Sequence, residues 1–108
     1  MTRRTKVPEN SVQLTVIEAL NLGRWRWIYH AKGRVGSAGK WQTPMKGHPG
    51  WPDIFAVRGD VALAIECKSD TGRVSPDQEI WGLALTSAGV RWHVVGPDQL
   101  DRILEVLA

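Results

Sequence analysis

Two short apolar runs, Phe55-Ala56-Val57 and Val61-Ala62-Leu63-Ala64-Ile65, flank the turn Arg58-Gly59-Asp60. Their residue types are strand-like, and Gly59-Asp60 suits a two-residue type II′ turn, which places glycine first. A two-residue turn fixes the register of the hairpin. Arg58 then pairs with Val61, and the flanking Asp53 and Glu66 fall opposite each other. Opposed residues of an antiparallel pair share a face, with Cβ atoms about 4.5–5.5 Å apart. Lys68, two residues past Glu66, belongs to that face as well. The other face of the second strand reads Val61, Leu63, Ile65, Cys67 and suits a core. Ala62 and Ala64 leave space on the face of Glu66 and Lys68.

Like charges set opposite each other destabilise a sheet. A divalent cation between Asp53 and Glu66 would remove that penalty. Magnesium takes oxygen ligands, usually one or two carboxylates with waters and phosphate oxygens. The pattern therefore asks for a metal; the competing reading is a surface hairpin with an ordinary Glu/Lys pair.

At 108 residues the chain suits one small domain with a single core, 1–108, with 1–7 as a flexible basic arm. Net charge is +3, and its distribution is more informative than its size. No acidic residue occurs from Ala19 to Pro52, while Arg24, Arg26, Lys32, Arg34, Lys40 and Lys46 do. That stretch suits a phosphate backbone and makes DNA the expected partner. The alternative is a solvated loop with a chance basic bias. The single cysteine excludes an intramolecular disulfide, and the three histidines show no zinc-ligand spacing. No apolar run approaches membrane length, and the basic start lacks a signal-peptide core, so the expectation is a cytoplasmic protein without a membrane partner.

A helix is predicted from Pro8 or Asn10 to Leu22, stopped by Gly23. Its stripe of Val12, Val16, Ile17 and Leu20 is in line with Glu9 and not with Glu18. Glu9 is then either a carboxylate aimed at the site or a first-turn acid favoured by the helix dipole. Asn10 with Gln13 would make an alternative capping pair that leaves Glu9 outside. Residues 24–31 alternate as a first strand, with Trp25, Trp27 and Tyr29 on one face and Arg26, Ile28 and His30 on the other. Residues 32–50 read as a long glycine-rich loop, a length that is usually functional or disordered. Its Trp41 either stacks on a base or pins the loop to the core. Gly50 permits a close approach just before Asp53.

Ser75-Pro76-Asp77-Gln78 is a helix start, with a serine cap, proline at the first position and glutamine at N3. Ile80, Trp81, Leu83, Ala84 and Ala88 follow before Gly89. Val90 to Val95 reads as a strand parallel to the third, because a helix separates them. Gly96-Pro97-Asp98 then opens a last helix through Leu100, Ile103, Leu104 and Leu107. The order is α-β-β-β-α-β-α, a mixed sheet flanked by helices. Trp81 and Trp92 suit either the core or a dimer interface.

Gly50-Trp51-Pro52-Asp53, Glu66-Cys67-Lys68, Ser75-Pro76-Asp77-Gln78 and the upstream Glu9 to Gln13 together resemble the PD-(D/E)XK nuclease superfamily. Within it the chain is similar to the VRR-NUC family, particularly small stand-alone phage and bacterial members. The resemblance implies a restriction-endonuclease-like α-β-β-β-α-β core, here with an extra C-terminal helix and a four-stranded mixed sheet. It also implies a nuclease dependent on Mg²⁺, with Mn²⁺ as a substitute, and in some stand-alone members a homodimer that resolves branched DNA. Carried over, Asp53 and Glu66 would be metal ligands together with the backbone carbonyl of Cys67. Lys68 would be the catalytic lysine and Glu9 the upstream helix carboxylate. Gln78 matches a helix glutamine found beside the site, and a capping box explains a glutamine there equally well. His30 stands where relatives often carry a polar residue on the first strand.

The expected activity is metal-dependent DNA endonuclease cleavage, structure-selective and of the Holliday-junction type. The alternatives are a non-catalytic DNA-binding or assembly module, and a small sequence-specific restriction-type endonuclease.

Overall fold

The computed structural model describes residues 7–30 and 46–108, with the backbone alone of 34–35 and 41–42. Helix α1 (Glu9–Leu22) leads into β1 (Arg26–Tyr29) and the short strands β2 (Arg34–Val35) and β3 (Trp41–Gln42). The hairpin β4 (Ile54–Arg58) and β5 (Val61–Cys67) comes next, then α2 (Pro76–Ser87) and β6 (Arg91–Val95). A 3-10 turn at Pro97–Gln99 opens α3 (Leu100–Leu107). The main sheet has the order β1-β4-β5-β6. Strand β4 is antiparallel to both of its neighbours, β1 and β5, and β6 runs parallel to β5. This is the mixed four-stranded, helix-flanked core expected of the order of elements. Within the segment read from sequence as one loop, β2 and β3 pair with each other, Val35 opposite Trp41.

The hairpin has the predicted register. Arg58 pairs with Val61 and Ile54 with Ile65. Gly59 has φ 61°, and among the described residues the only non-glycine with positive φ is Arg24, so Asp60 leaves the turn as type II′ requires.

One face of the sheet supplies Ile54, Ala56, Leu63, Ile65 and Cys67 to the core. Val12, Val16 and Leu20 of α1 and Ile103 and Leu107 of α3 pack against them. Each fully buried aliphatic side chain here contributes about 1.5–3 kcal/mol relative to exposure. Val7 also packs on this core, so the loose arm expected over 1–7 excludes its last residue; residues 1–6 lie outside the described ones.

Helix α2 lies on the opposite face, and its contact is unusually close. A Cβ on the buried Gly82 would overlap the Trp92 ring of β6. The helix therefore sits flush through glycine, and Ile80 and Leu83 are turned outward, 65% and 58% exposed. These two residues stand outside the core.

The two long helices end differently. Helix α2 closes in a Schellman arrangement with Gly89 at φ 91°, Val90 N donating to Leu85 O and Gly89 N to Thr86 O. Helix α1 ends at Leu22 with Gly23 as its C-cap, as predicted, and closes with the same two bonds, Trp25 N to Leu20 O and Arg24 N to Asn21 O. The left-handed residue is Arg24, φ 59°, while Gly23 has φ −80°. Gly23 is needed for another reason: a Cβ there would overlap the Leu107 carbonyl oxygen of α3. Among the described residues no helix is long and apolar enough to cross a membrane.

Candidate active site

The carboxyl end of β5 and the residue before β4 meet beneath the first turn of α2. Asp53 stands one step past the β4 ladder. Its carbonyl accepts from His30 N (2.7 Å), and its Oδ2 accepts from Cys67 N (2.9 Å). The second bond turns the Asp53 carboxylate toward β5, where Glu66 is fully buried. Helix α1 comes in from the other face and brings the half-buried Glu9 of its first turn. Its N-cap is Pro8 and not Asn10, so Glu9 lies inside the helix and in line with Val12 and Val16.

Glu9, Asp53 and Glu66 each present one carboxylate oxygen, and the three oxygens lie within 4.8 Å of one another. Opposite oxygens around Mg²⁺ are about 4.2 Å apart, from a bond length of about 2.1 Å. The trio thus nearly spans a hard cation, and an all-oxygen anionic set is what such an ion takes. Asp53 is 1% and Glu66 0% exposed. Carboxylates this buried are almost always paired or bound to metal. The donor set therefore fits a divalent cation.

The Cys67 peptide is oriented by the sheet. Lys68 N donates to Val95 O of β6 at 2.8 Å. In a trans peptide the C=O points opposite to the N–H. The Cys67 carbonyl is therefore directed away from β6, to the side of Asp53. The Cys67 side chain is in the core.

Lys68 and Gln78, each 8% exposed, complete the cluster. Gln78 Oε1 accepts from Lys68 Nζ (2.8 Å) and from Ser75 N (2.9 Å), and Gln78 Nε2 donates to Glu66 Oε1 (2.9 Å). Lys68 Nζ is itself 3.7 Å from Glu66 Oε1. The capping box is also present, since Ser75 Oγ accepts from Gln78 N at 3.2 Å. One residue thus makes the capping bonds and also bonds Lys68 and Glu66. Gly50, φ +99°, presses the approach loop onto this turn, where any Cβ would overlap the Asp77 carbonyl and Gln78 N. That contact ties the chain before Asp53 to the helix that carries Gln78, a link only hinted at by the glycine in the sequence.

Of the basic residues, Arg24 and Arg26 are placed elsewhere. Arg26 is opposite Val57, at the turn end of the hairpin, and Arg24 precedes it. From Arg26 to His30, which neighbours Asp53, is about 13 Å of strand. Lys46 is exposed; Lys32 and Lys40 lie outside the described residues, as do the side chains of Arg34 and Trp41. Arg58, noted in the sequence only as a turn residue, has a structural role. Its Nη1 donates to Gly23 O (2.9 Å) and Leu107 O (3.3 Å), and its guanidinium lies 4.2 Å from the Trp25 ring centroid.

The family model for the VRR-NUC domain matches residues 37–98, more than half of the chain. That span holds Asp53, Glu66, Lys68 and Gln78; Glu9 lies before it and is added by the fold. No match is found among curated proteins. The chain belongs to the VRR-NUC family, a nuclease domain of the PD-(D/E)XK superfamily.

Proposed function

We propose that this chain is a Mg²⁺-dependent DNA endonuclease selective for branched structures, with Mn²⁺ able to substitute. The observation that carries the reading is the convergence of the Glu9, Asp53 and Glu66 oxygens within 4.8 Å, beside a buried lysine. Glu9, Asp53, Glu66 and the Cys67 carbonyl would hold the cation. When bound, it supplies Lewis-acid stabilisation of charge on the phosphoryl oxygens and a water of lowered pKa. Asp53 is kept in place by Cys67 N–H, so its carboxylate needs little reordering to act as a ligand. Lys68 holds its ammonium beside the cluster through Gln78, where it orients the attacking water or stabilises the developing phosphorane charge. Arg24 and Arg26 would grip backbone phosphates flanking the cut and not the scissile one, given their distance along the strand.

The intact set of three carboxylates and a lysine argues against a module that binds DNA without cutting it. The whole chain, 1–108, would form this one domain, working in the cytoplasm. A two-fold pair of copies would present two sites of opposite polarity to a junction. The outward Ile80 and Leu83 of α2 supply apolar surface for such pairing, and sedimentation of the purified protein would test it. The decisive assay is cleavage of labelled four-way, nicked and linear DNA with Mg²⁺, Mn²⁺ or EDTA. Branched substrates should be cut first and EDTA should stop cutting. Equal cutting of all three would overturn the selectivity, and cutting in EDTA the metal dependence.

A further inference from the structure

Ser75 lies outside the set of candidate site residues, yet its main chain meets Gln78 at the atom that also binds Lys68. A side-chain amide has two orientations of nearly equal shape and opposite chemistry. In the one observed, Gln78 Oε1 faces two donors, Ser75 N–H and Lys68 Nζ, and Nε2 faces the acceptor Glu66 Oε1. Reversing the amide would set Nε2 against both donors and Oε1 against the carboxylate. Of the three partners, Lys68 and Glu66 are charged groups of the reaction centre, whose demands change as cation and phosphate come and go. The Ser75 N–H is fixed by the backbone and carries no titratable charge.

We infer that Ser75 is a positioning residue: its backbone N–H locks the polarity of the Gln78 amide, so that Lys68 always meets an acceptor and Glu66 a donor. The cap of α2 and the order of the reaction centre are then one device. Gly50, pressed on the same turn, keeps Asp53 in register with it. The inference rests on the nuclease reading for its consequence in cleavage, but not for its geometry.

Two substitutions separate the lock from ordinary capping. Ser75→Ala removes the cap hydroxyl and keeps the N–H. Ser75→Pro removes both, and Ser75 already has φ −76°, which proline accepts. Cleavage by Ser75→Pro should fall about tenfold or more below that of Ser75→Ala, in kcat and not in KM. In ¹⁵N-labelled, metal-free protein the Gln78 side-chain amide hydrogens should keep their separation in Ser75→Ala and move toward free-amide positions in Ser75→Pro. The second arm is Gln78→Glu, since glutamate caps a helix as well as glutamine does. It should cleave at least about tenfold less than the unmodified chain and change Mn²⁺ affinity, measured by calorimetry, by about threefold or more.

Identical amide resonances and cleavage in Ser75→Pro and Ser75→Ala would overturn the lock. So would a Gln78→Glu protein equal to the unmodified chain in cleavage and Mn²⁺ affinity. If the unmodified chain cut no DNA with Mg²⁺, the nuclease reading would fail, and the metal-free amide resonances would still decide the lock.

Discussion

The two ends of the β4–β5 hairpin are built from opposite charges for opposite purposes. At one end Asp53, Glu66 and Glu9 bring carboxylates within 4.8 Å of one another, and Lys68 and Gln78 fill the space around them. At the other end, beside the Gly59 turn, Arg58 ties the close of α1 and the last turn of α3 to the sheet, with Trp25 stacked on its guanidinium. The Trp25 Nε1–H joins the same knot by donating to Leu107 O at 2.9 Å. The carboxylate end gathers oxygens of like charge in the arrangement that a divalent cation would favour. The arginine end places its charge against carbonyl oxygens and a ring face, which stabilises the fold. One end holds the candidate site and the other holds the helices, a strand length apart.

That contrast fails if a single substitution at either end disturbs both properties alike. The largest effect is expected from Asp53→Asn. The amide oxygen still accepts from Cys67 N–H, so the fold keeps its hydrogen bond, while a cation ligand loses its charge. Cleavage should drop by about 10³-fold or more, with stability in urea changed by less than about 1 kcal/mol. Arg58→Ala should do the reverse. Losing charge-assisted bonds to the ends of two helices and the stacking on Trp25 should cost about 2–4 kcal/mol in denaturant unfolding. Cleavage per folded molecule should stay within about threefold.

Smaller effects sharpen the role of the arginine end in binding. Arg26→Ala removes an exposed charge about 13 Å along the strand from the carboxylates. It should lower the slope of log affinity against log salt by about one and leave kcat nearly unchanged. Arg24→Gly should raise stability by about 1 kcal/mol, seen as a higher melting temperature, because it relieves the left-handed φ of 59°. A lower melting temperature would show that the Arg24 side chain stabilises this corner more than its backbone strains it.

The carboxylate end was legible in the sequence because its parts are linked by local rules. A two-residue turn sets Asp53 against Glu66, a helical stripe aligns Glu9 with Val12 and Val16, and a capping motif puts Gln78 at N3. The arginine end was not legible. Arg58 meets Gly23 and Leu107, and Trp25 meets Leu107, at sequence separations of 35, 49 and 82 residues. No local pattern announces such contacts. Gly23 was legible as the stop of α1, but for the same reason its contact with α3 was not. The outward turn of Ile80 and Leu83 was not legible either, because the flush seat of Gly82 on Trp92 is a tertiary fact. The pairing of β2 with β3 was hidden in a run whose glycines suggested only a loop.

The central claim is that Glu9, Asp53 and Glu66 act as one cation site for phosphodiester hydrolysis. Calorimetric titration of the metal-free chain with Mn²⁺, set beside the same titration of Glu9→Gln, tests it most directly. Glu9 is the member that neither the hairpin nor the family match supplies. The account predicts one saturable site whose affinity falls by about tenfold or more in Glu9→Gln, in step with cleavage. Equal Mn²⁺ affinity in the two proteins would contradict it.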